Sequence, residues 1–239
     1  MNRFLTESGD LAQETPELSA ENRRHLKVLR PKEGEEFELF DGAGKCRRYI
    51  WRQGRLAAAG EVMEFPPPKV LKLFACITKG SRWDWTLEKA TELGVTEIVP
   101  VISERTIVRI KPEERAAKRE RWERIVCDAA RQCDTKFLPR VRAALDFADT
   151  VKEAAECACL VGALTEKTRM IAEAAAEALK GDRELAVYVG PEGDFSPAEL
   201  ETLCTVGVPV SFGANVLRAE TAAIFAVSVI RGMMDVQAR

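Results

Sequence analysis

The chain contains a single histidine, His25, among 239 residues. A zinc site built from several histidines is therefore excluded, and a Ser-His-Asp triad is excluded unless His25 takes part in it. His25 lies among cations in the stretch RRHLKVLR (23–30), far in sequence from the loops described below. We therefore interpret it as a structural or surface-facing residue rather than a catalytic one.

The seven cysteines are odd in number, and none of them forms a CxxC pair. This pattern is typical of reduced thiols that are buried as small apolar side chains. The N-terminal stretch MNRFLTESGD lacks the apolar core of a signal peptide. Apolar runs also fall short of the ~18 residues that a membrane span needs. We therefore expect a cytoplasmic protein with no metal site and no membrane segment.

The chain also lacks an excess of either charge, since 36 Lys and Arg face 38 Asp and Glu. The distribution of charge is more informative than its sum. The window between Gly42 and Gly60 holds no acidic residue, and its cations are interleaved with Tyr49 and Trp51. Such a window suits phosphate contacts and base stacking with RNA; we favour RNA contact for the arginines and core packing for the two aromatic rings. The cations that we predict to contact RNA are Arg23, Arg24, Lys27, Arg30, Arg47, Arg48, Arg52 and Arg82.

The first 68 residues show short strand-like runs separated by turn signals, which is typical of a small β-rich domain. Strand-like residues 35–40 precede the turn signal Asp41-Gly42, and a second strand-like run surrounds residues 49–51. The run Pro66-Pro67-Pro68 is a stiff spacer and a natural boundary. We therefore predict two domains, at 1–68 and 69–239.

The second domain alternates apolar runs of strand length with helical stretches. Strands are expected at 70–77, 98–102, 141, 158–163, 185–189 and 208–212, and helices at 85–93, 112–131 and 168–179. Alternation of this kind, with strands apolar throughout, predicts an α/β fold whose parallel sheet is covered on both faces.

The loop 190–195 (GPEGDF) follows the strand 185–189 and precedes a helix. Ser196 fits the N-cap of that helix, Pro197 its first position, and Glu199 completes a capping box. In open α/β sheets, ligands bind at this end of a strand. The loop matches neither a P-loop nor GxGxxG, and Glu192 would favour a cationic ligand over a phosphate. A tight turn that needs glycine for backbone reasons explains the loop equally well.

A second loop, within FGANVLRAETA (212–222), follows the next strand and precedes a long apolar helix. Glu220 suits the positive N-terminal end of that helix. Arg218 lies between Leu217 and the helix, so it either faces solvent or holds an anionic or carbonyl-rich group. The helix carries Ala222, Ala223, Ala226 and Ser228 among larger residues, which fits either core packing or a subunit interface.

These two loops resemble the GPEGGF and LGxRILRTETA motifs of the RsmE-type ribosomal RNA uridine-N3 methyltransferases of the SPOUT superfamily. The resemblance continues through residues 79–95, 103–109 and 121–133 with Pro139, and through 23–42 with Arg3-Phe4. It implies S-adenosylmethionine as the methyl donor and N3 of a specific uridine in small-subunit (16S) ribosomal RNA as the acceptor. It also implies a C-terminal trefoil-knot domain, a PUA-like N-terminal β-barrel that binds RNA, and a homodimer through the C-terminal domain.

By motif position, the resemblance assigns the cofactor site to the two loops and one further residue. The implied cofactor-binding residues are Leu164, Gly190, Pro191, Glu192, Gly193, Phe212, Gly213, Val216, Leu217, Arg218, Glu220 and Thr221. For catalysis we expect Arg218 to stabilise charge on the uracil carbonyls, with Glu220 as a candidate proton acceptor or helix cap.

Four positions depart from the family pattern. Asp194 replaces a loop glycine, Asn215 and Thr135 stand where arginines are common, and Ala219 replaces a threonine. Two alternatives therefore stay open: a SPOUT methyltransferase for another RNA position, and a non-catalytic RNA-binding relative.

Overall fold

The computed structural model of the chain describes residues 1–165 and 167–237, which form two compact units. The first comprises Met1–Pro68 and Cys127–Leu138, and the second comprises Lys69–Val126 and the described chain from Pro139 onward. Residues 127–138 lie within the range predicted for the second domain, and in the structure they pack with the first unit. The guanidinium of Arg3 donates to the carbonyls of Ala130 at 2.7 Å and Thr135 at 2.8 Å, which joins the segment to the first strand.

The first unit is a five-stranded sheet with one helix. Its elements are β1 (Asn2–Leu5), α1 (Ala20–Leu29), β2 (Glu36–Phe40), β3 (Lys45–Arg52), β4 (Arg55–Ala58) and β5 (Met63–Glu64). The strand order is β1-β2-β3-β4, with β5 also paired to β3. Only the β1–β2 pair is parallel. Among the described residues β1 and β4 each pair on one side only, so the sheet is open and the expected closed barrel is not confirmed.

Because side chains alternate across a sheet, the basic residues of β3 lie on two different faces. Tyr49 is fully buried in the core with Phe4 and Phe37, so the core explanation of this ring is correct. Arg47 lies on the same face as Tyr49, and its guanidinium stands 5.7 Å from the centre of the Tyr49 ring. Arg48 and Arg52 alternate to the opposite face and are exposed.

The second unit has a parallel sheet with helices between its strands. The strands are β6 (Leu71–Cys76), β7 (Glu97–Ile102), β8 (Arg140–Val141), β9 (Leu145–Asp146), β10 (Ala158–Gly162), β11 (Arg169–Met170), β12 (Leu185–Val189) and β13 (Gly207–Ser211). The helices are α2 (Ser81–Glu92), α3 (Arg115–Gln132), α4 (Phe147–Ala155), α5 (Ile171–Ala178), α6 (Pro197–Val206) and α7 (Ala219–Gln237); the C-terminal part of α3 belongs to the first unit.

The strand order is β11-β13-β10-β12-β6-β7-β8, with β9 also paired to β7, and every pair is parallel. Helices α5 and α7 pack together on one face, with α2 against α7, and α4 packs with α6 on the other. The predicted α/β class with a parallel sheet covered on both faces is therefore confirmed. None of the helices in the described part is long and apolar enough to cross a membrane.

Two element boundaries differ from the sequence prediction. Helix α2 begins at Ser81 rather than at 85, after Gly80 with φ +66°, and buries Trp83 while Trp85 stays 40% exposed. The first part of the predicted helix 168–179 is instead the short strand β11, because Arg169 and Met170 pair with the edge of β13. At β11, strand pairing overrides the local helix preference.

Candidate functional site

A cavity of about 490 Å³ lies at the carboxyl ends of the neighbouring strands β10, β12 and β13. Its wall is formed by Arg82, Gly162, Ala163, Leu164, Val189, Gly190, Pro191, Glu192, Asp194, Ser211, Phe212, Gly213, Asn215, Val216, Leu217, Arg218, Ala219 and Ala222. This is the edge at which open α/β sheets bind ligands, and the volume is typical of small-molecule sites.

The first loop turns sharply beyond β12. The N–H of Asp194 donates to the carbonyl of Pro191 at 3.0 Å, and Asp194 adopts the left-handed region at φ +58°. Its own carboxylate accepts from the N–H of Phe195 at 2.8 Å. Phe195 is buried against Tyr188 and Phe147, with ring centres 5.6 and 6.2 Å away. The loop is therefore held at one end by an aromatic core.

The predicted capping box that follows this loop is present. The hydroxyl of Ser196 accepts from the N–H of Glu199 at 3.4 Å, and the Glu199 carboxylate accepts from the N–H of Ser196 at 3.0 Å. Pro197 occupies the first position of α6, as its fixed φ allows. The helix start, and with it the end of the loop, is fixed by residues adjacent in sequence.

Glycine is required at one position in the second loop and at one position on the strand end beside it. Gly213 has φ +120°, a conformation that residues with a side chain rarely adopt. At the end of β10, a Cβ on Gly162 would stand 2.6 and 2.7 Å from ring atoms of Phe212. The ring therefore packs directly on the Gly162 backbone and forms part of the cavity wall. Leu164 and Val216, both well exposed, add apolar surface at the rim.

The charged groups of the cavity are unevenly paired. An Nη of Arg82 lies 3.5 Å from Glu192, and its Nε lies 3.9 Å from the first carboxylate oxygen of Glu220. The second oxygen of Glu220 is buried and has no hydrogen-bond partner among the described residues. Within residues 1–165 and 167–237, Arg218 forms no ion pair and is exposed at the wall.

Most of the predicted cofactor residues meet at this cavity. Those in its wall are Leu164, Gly190, Pro191, Glu192, Phe212, Gly213, Val216, Leu217 and Arg218. Gly193, Glu220 and Thr221 stand next to the wall in sequence without lining it. Arg82, which is predicted to contact RNA, also lines the cavity. Sequence reasoning missed Gly162 and Ala163, although they end a predicted strand at the same sheet edge.

The predicted RNA-contact residues of the first unit are exposed, with one exception. The exposed ones are Arg23, Arg24, Lys27, Arg30, Arg48 and Arg52. Arg47 is occupied within the unit, because its guanidinium donates to the carbonyl of Gly60 and to the carboxylate of Glu14. In addition, Arg23 donates to the carbonyl of Leu18 at 2.6 Å, while Arg30 ends α1 at φ +48°.

Burial disfavours nucleophilic chemistry at the cysteines in and beside the central strands of the second unit. Burial raises the pKa of the Cys76 and Cys159 thiols to about 12, so both stay protonated at neutral pH. Burial also raises the pKa of Cys157. The described residues hold no group of His, Cys, Asp and Glu that could bind a metal ion. The chemistry available to the cavity is therefore binding by backbone and apolar groups, with carboxylates and guanidiniums at the rim.

A parallel α/β unit with a ligand cavity at the carboxyl edge of its sheet defines the general class of the protein, and comparison with known proteins narrows it. The family model of the RNA methyltransferase domain matches residues 66–231. Ribosomal RNA small subunit methyltransferase E of Synechocystis sp. is 31% identical over 248 residues, covering 98% of this chain and 78% of the relative.

Two solved structures share the whole architecture. A methyltransferase of Legionella pneumophila, in complex with its bound cofactor SAM, is 30% identical with a TM-score of 0.82, over 97% of this chain and 96% of the other. Ribosomal RNA small subunit methyltransferase E of Neisseria gonorrhoeae, bound to S-adenosyl methionine, is 29% identical with a TM-score of 0.82, over 98% of both chains. The chain belongs to the RNA methyltransferase family and, within it, to the ribosomal RNA small subunit methyltransferases E.

Proposed function

We propose that this protein transfers a methyl group from S-adenosylmethionine to N3 of a uridine in small-subunit (16S) ribosomal RNA. It is an S-adenosylmethionine-dependent ribosomal RNA methyltransferase by its family and by the cofactor bound to its structural relatives. The observation that carries the proposal is the cavity between the two loops, with Arg218 unpaired at its wall among the described residues. A ribosomal RNA substrate implies that the reaction takes place in the cytoplasm.

The residues of the cavity fit this cofactor. The cavity is large enough for a drug-sized molecule, and its apolar wall of Leu164, Phe212, Val216 and Leu217 suits an aromatic base. Carboxylates in the same wall favour a cation, and S-adenosylmethionine carries its transferable methyl group on a cationic sulfur. The closely packed glycines let the backbone approach the ligand.

The proposed chemistry is charge stabilisation and proton removal at the acceptor base. Loss of the uracil N3 proton leaves an anion that is shared by the two flanking carbonyl oxygens. A guanidinium in contact with one of them stabilises the developing charge, and Arg218 is free to do so. The unpartnered oxygen of Glu220 supports this carboxylate as acceptor of the proton. Such an acceptor base must be unpaired or flipped out to reach the cavity.

We also propose the domain roles that the family resemblance implies. Residues 1–68 would form a PUA-like RNA-binding domain, supported by exposed Arg24, Lys27, Arg48 and Arg52. Residues 69–239 would form the SPOUT domain, with the two loops in a trefoil knot around the cofactor. The protein would act as a homodimer through the final helix, α7. Exposed Phe225 on α7 and exposed Trp85 on α2, which packs against α7, support that interface.

The alanines of α7 do not contribute to that proposed interface. Ala222, Ala223 and Ala226 are at most 7% exposed within the single chain, so core packing accounts for them. The exposed Ser228 donates to the carbonyl of Ile224 at 2.8 Å. Sedimentation of the wild type and of Phe225→Glu tests the dimer, which we expect the charge to dissociate. A monomeric wild type would contradict this part of the proposal.

Arg218→Ala tests the catalytic proposal. Removing one donor that stabilises a developing negative charge costs about 10²–10³-fold in kcat. We expect a loss of that size on small ribosomal subunits from cells lacking this protein, measured by mass spectrometry of their nucleosides. Arg119→Ala is the matched control, since Arg119 is half-exposed on α3 and pairs only with Glu123 among the described residues.

The proposal predicts that Arg218→Ala keeps the wild-type unfolding curve and binds S-adenosylmethionine in calorimetry. Full activity of this variant would remove Arg218 from the mechanism. Absence of cofactor binding by the wild type at millimolar concentration would instead favour a non-catalytic RNA-binding protein. An unchanged uridine modification map in cells lacking the protein would refute the proposed target.

A further inference from the structure

The segment after β7, Ser103 to Arg109, contacts the first cavity loop from outside the cavity. An Nη of Arg105 donates to the carbonyl of Gly193 at 3.0 Å and to the carbonyl of Phe195 at 3.3 Å. Neither Arg105 nor these two carbonyl residues line the cavity, whereas Asp194 between them does. One guanidinium therefore holds the loop on both sides of a cavity residue.

The same segment is tied to the far end of the loop by a buried carboxylate. One oxygen of Glu199 accepts from the N–H of Glu104 at 2.8 Å, and the other accepts from the N–H of Ser196 at 3.0 Å. Glu199 is 9% exposed, so both bonds are shielded from water. The capping box of α6 thus also fixes the backbone just before Arg105.

The segment is itself well ordered by internal bonds. The Ser103 and Thr106 hydroxyls are 2.8 Å apart, and both residues are buried. The Thr106 hydroxyl also accepts from the N–H of Ser103 at 2.9 Å. Arg109 donates to the carbonyl of Glu104 at 3.0 Å, which closes the turn. A turn closed in this way offers the loop a fixed support.

We propose that residues 103–109 are the positioning element of the first cavity loop, and that Arg105 is a positioning residue for binding of the methyl donor. This inference rests on the proposed function. A loop that is already ordered loses less conformational entropy when a ligand binds, so affinity rises without any direct contact. Loss of the guanidinium frees the carbonyls of Gly193 and Phe195 and lets residues 190–195 fluctuate.

The test compares Arg105→Ala, Arg105→Lys and the control Arg119→Ala, which removes the same charge from a half-exposed position on α3, outside the segment. Calorimetry measures the Kd for S-adenosylmethionine, and hydrogen exchange follows residues 190–196 without cofactor. We expect Arg105→Ala to weaken binding about tenfold, as loss of a charge-assisted hydrogen bond at a partly exposed site would, and to speed exchange in the loop. Arg105→Lys, which keeps one donor, should recover part of both.

Kinetics separate positioning from catalysis. For Arg105→Ala we expect the KM for the methyl donor to rise about tenfold while kcat at saturating donor stays within about twofold. Arg119→Ala should match the wild type in affinity and loop exchange. Unchanged affinity and exchange in Arg105→Ala would overturn the inference, as would an equal effect of Arg119→Ala. A wild type that binds no donor overturns the proposed function, and exchange then decides separately whether Arg105 orders the loop.

Discussion

Replacement of Asp194 by alanine should destabilise the second unit by about 1 kcal/mol. Asp194 adopts φ +58°, which disfavours any residue with a Cβ but is tolerated best by Asn and Asp. The carboxylate compensates by accepting from the N–H of Phe195 at 2.8 Å. Alanine keeps the strain and loses this bond, whose net value is about 0.5–1.5 kcal/mol.

Two further variants at this position separate strain from hydrogen bonding. Asp194→Asn keeps an acceptor oxygen and the tolerance for this backbone, so it should be as stable as the wild type. Asp194→Gly relieves strain but loses the bond and gains freedom in the unfolded chain, so it should lie between the asparagine and alanine variants. Urea unfolding without cofactor measures the order. Alanine as stable as aspartate would refute the argument that this hydrogen bond compensates for the backbone strain.

The Asp194→Asn variant also tests the charge of the cavity. Asp194 lines the wall, and a carboxylate near a cationic sulfur strengthens its binding through Coulomb attraction that water partly screens. We expect Asp194→Asn to weaken binding of S-adenosylmethionine several-fold, yet to leave binding of S-adenosylhomocysteine, whose sulfur is uncharged, within about twofold. Equal weakening of both ligands in calorimetry would assign the effect to loop geometry and not to charge.

Three further predictions concern packing, capping and pH. Gly162→Ala should lower stability by about 1–3 kcal/mol and weaken donor binding in calorimetry, because its Cβ would meet the Phe212 ring at 2.6 Å; normal values for both would contradict that packing. Glu199→Gln should cost about 1.5–3 kcal/mol in urea unfolding, since an amide presents only one acceptor oxygen to two N–H groups; an unchanged midpoint would refute it. Burial raises the pKa of Asp41, but hydrogen bonds from one hydroxyl and two backbone N–H groups outweigh burial and leave the pKa below 3.8. Its contribution to stability is therefore complete above the unfolded pKa and is lost as pH falls through the lowered one. In Asp41→Asn this part of the free energy of unfolding should not decrease with falling pH. Unfolding measured from pH 6 down to about 2 tests this.

Local features of the fold could be predicted because their causes are local. The capping box needs only Ser196 and Glu199 three residues apart, and the strand before Gly190 shows as an apolar run. Their position at one sheet edge follows from the alternation of strands and helices. The start of α2 was missed because Gly80 precedes it and offers no capping side chain.

The contacts that complete the site are non-local. Arg82 reaches Glu192 across 110 residues, and Glu199 reaches Glu104 across 95. Neither pair has a periodic signal, because strand order and not sequence spacing brings the elements together. Arg47 gives a further example. In the sequence it is one of several cations in a basic window, but on β3 it lies on the same face as buried Tyr49.

The charged residues of the cavity rim differ in whether they already form ion pairs. Arg82 is shared between Glu192 and Glu220, so its positive charge is largely compensated. Arg218 forms no ion pair within the described chain, and it is therefore the guanidinium available to an electron-rich group that arrives from solution. Asp194 in turn pairs with no cation there, so its carboxylate remains available to a positive ligand. A site for a cationic donor and an acceptor developing negative charge would use one group of each sign that is free of ion pairs, and Arg218 and Asp194 both meet that condition in the same wall. By this reasoning we propose that Asp194 contributes to recognition of the donor.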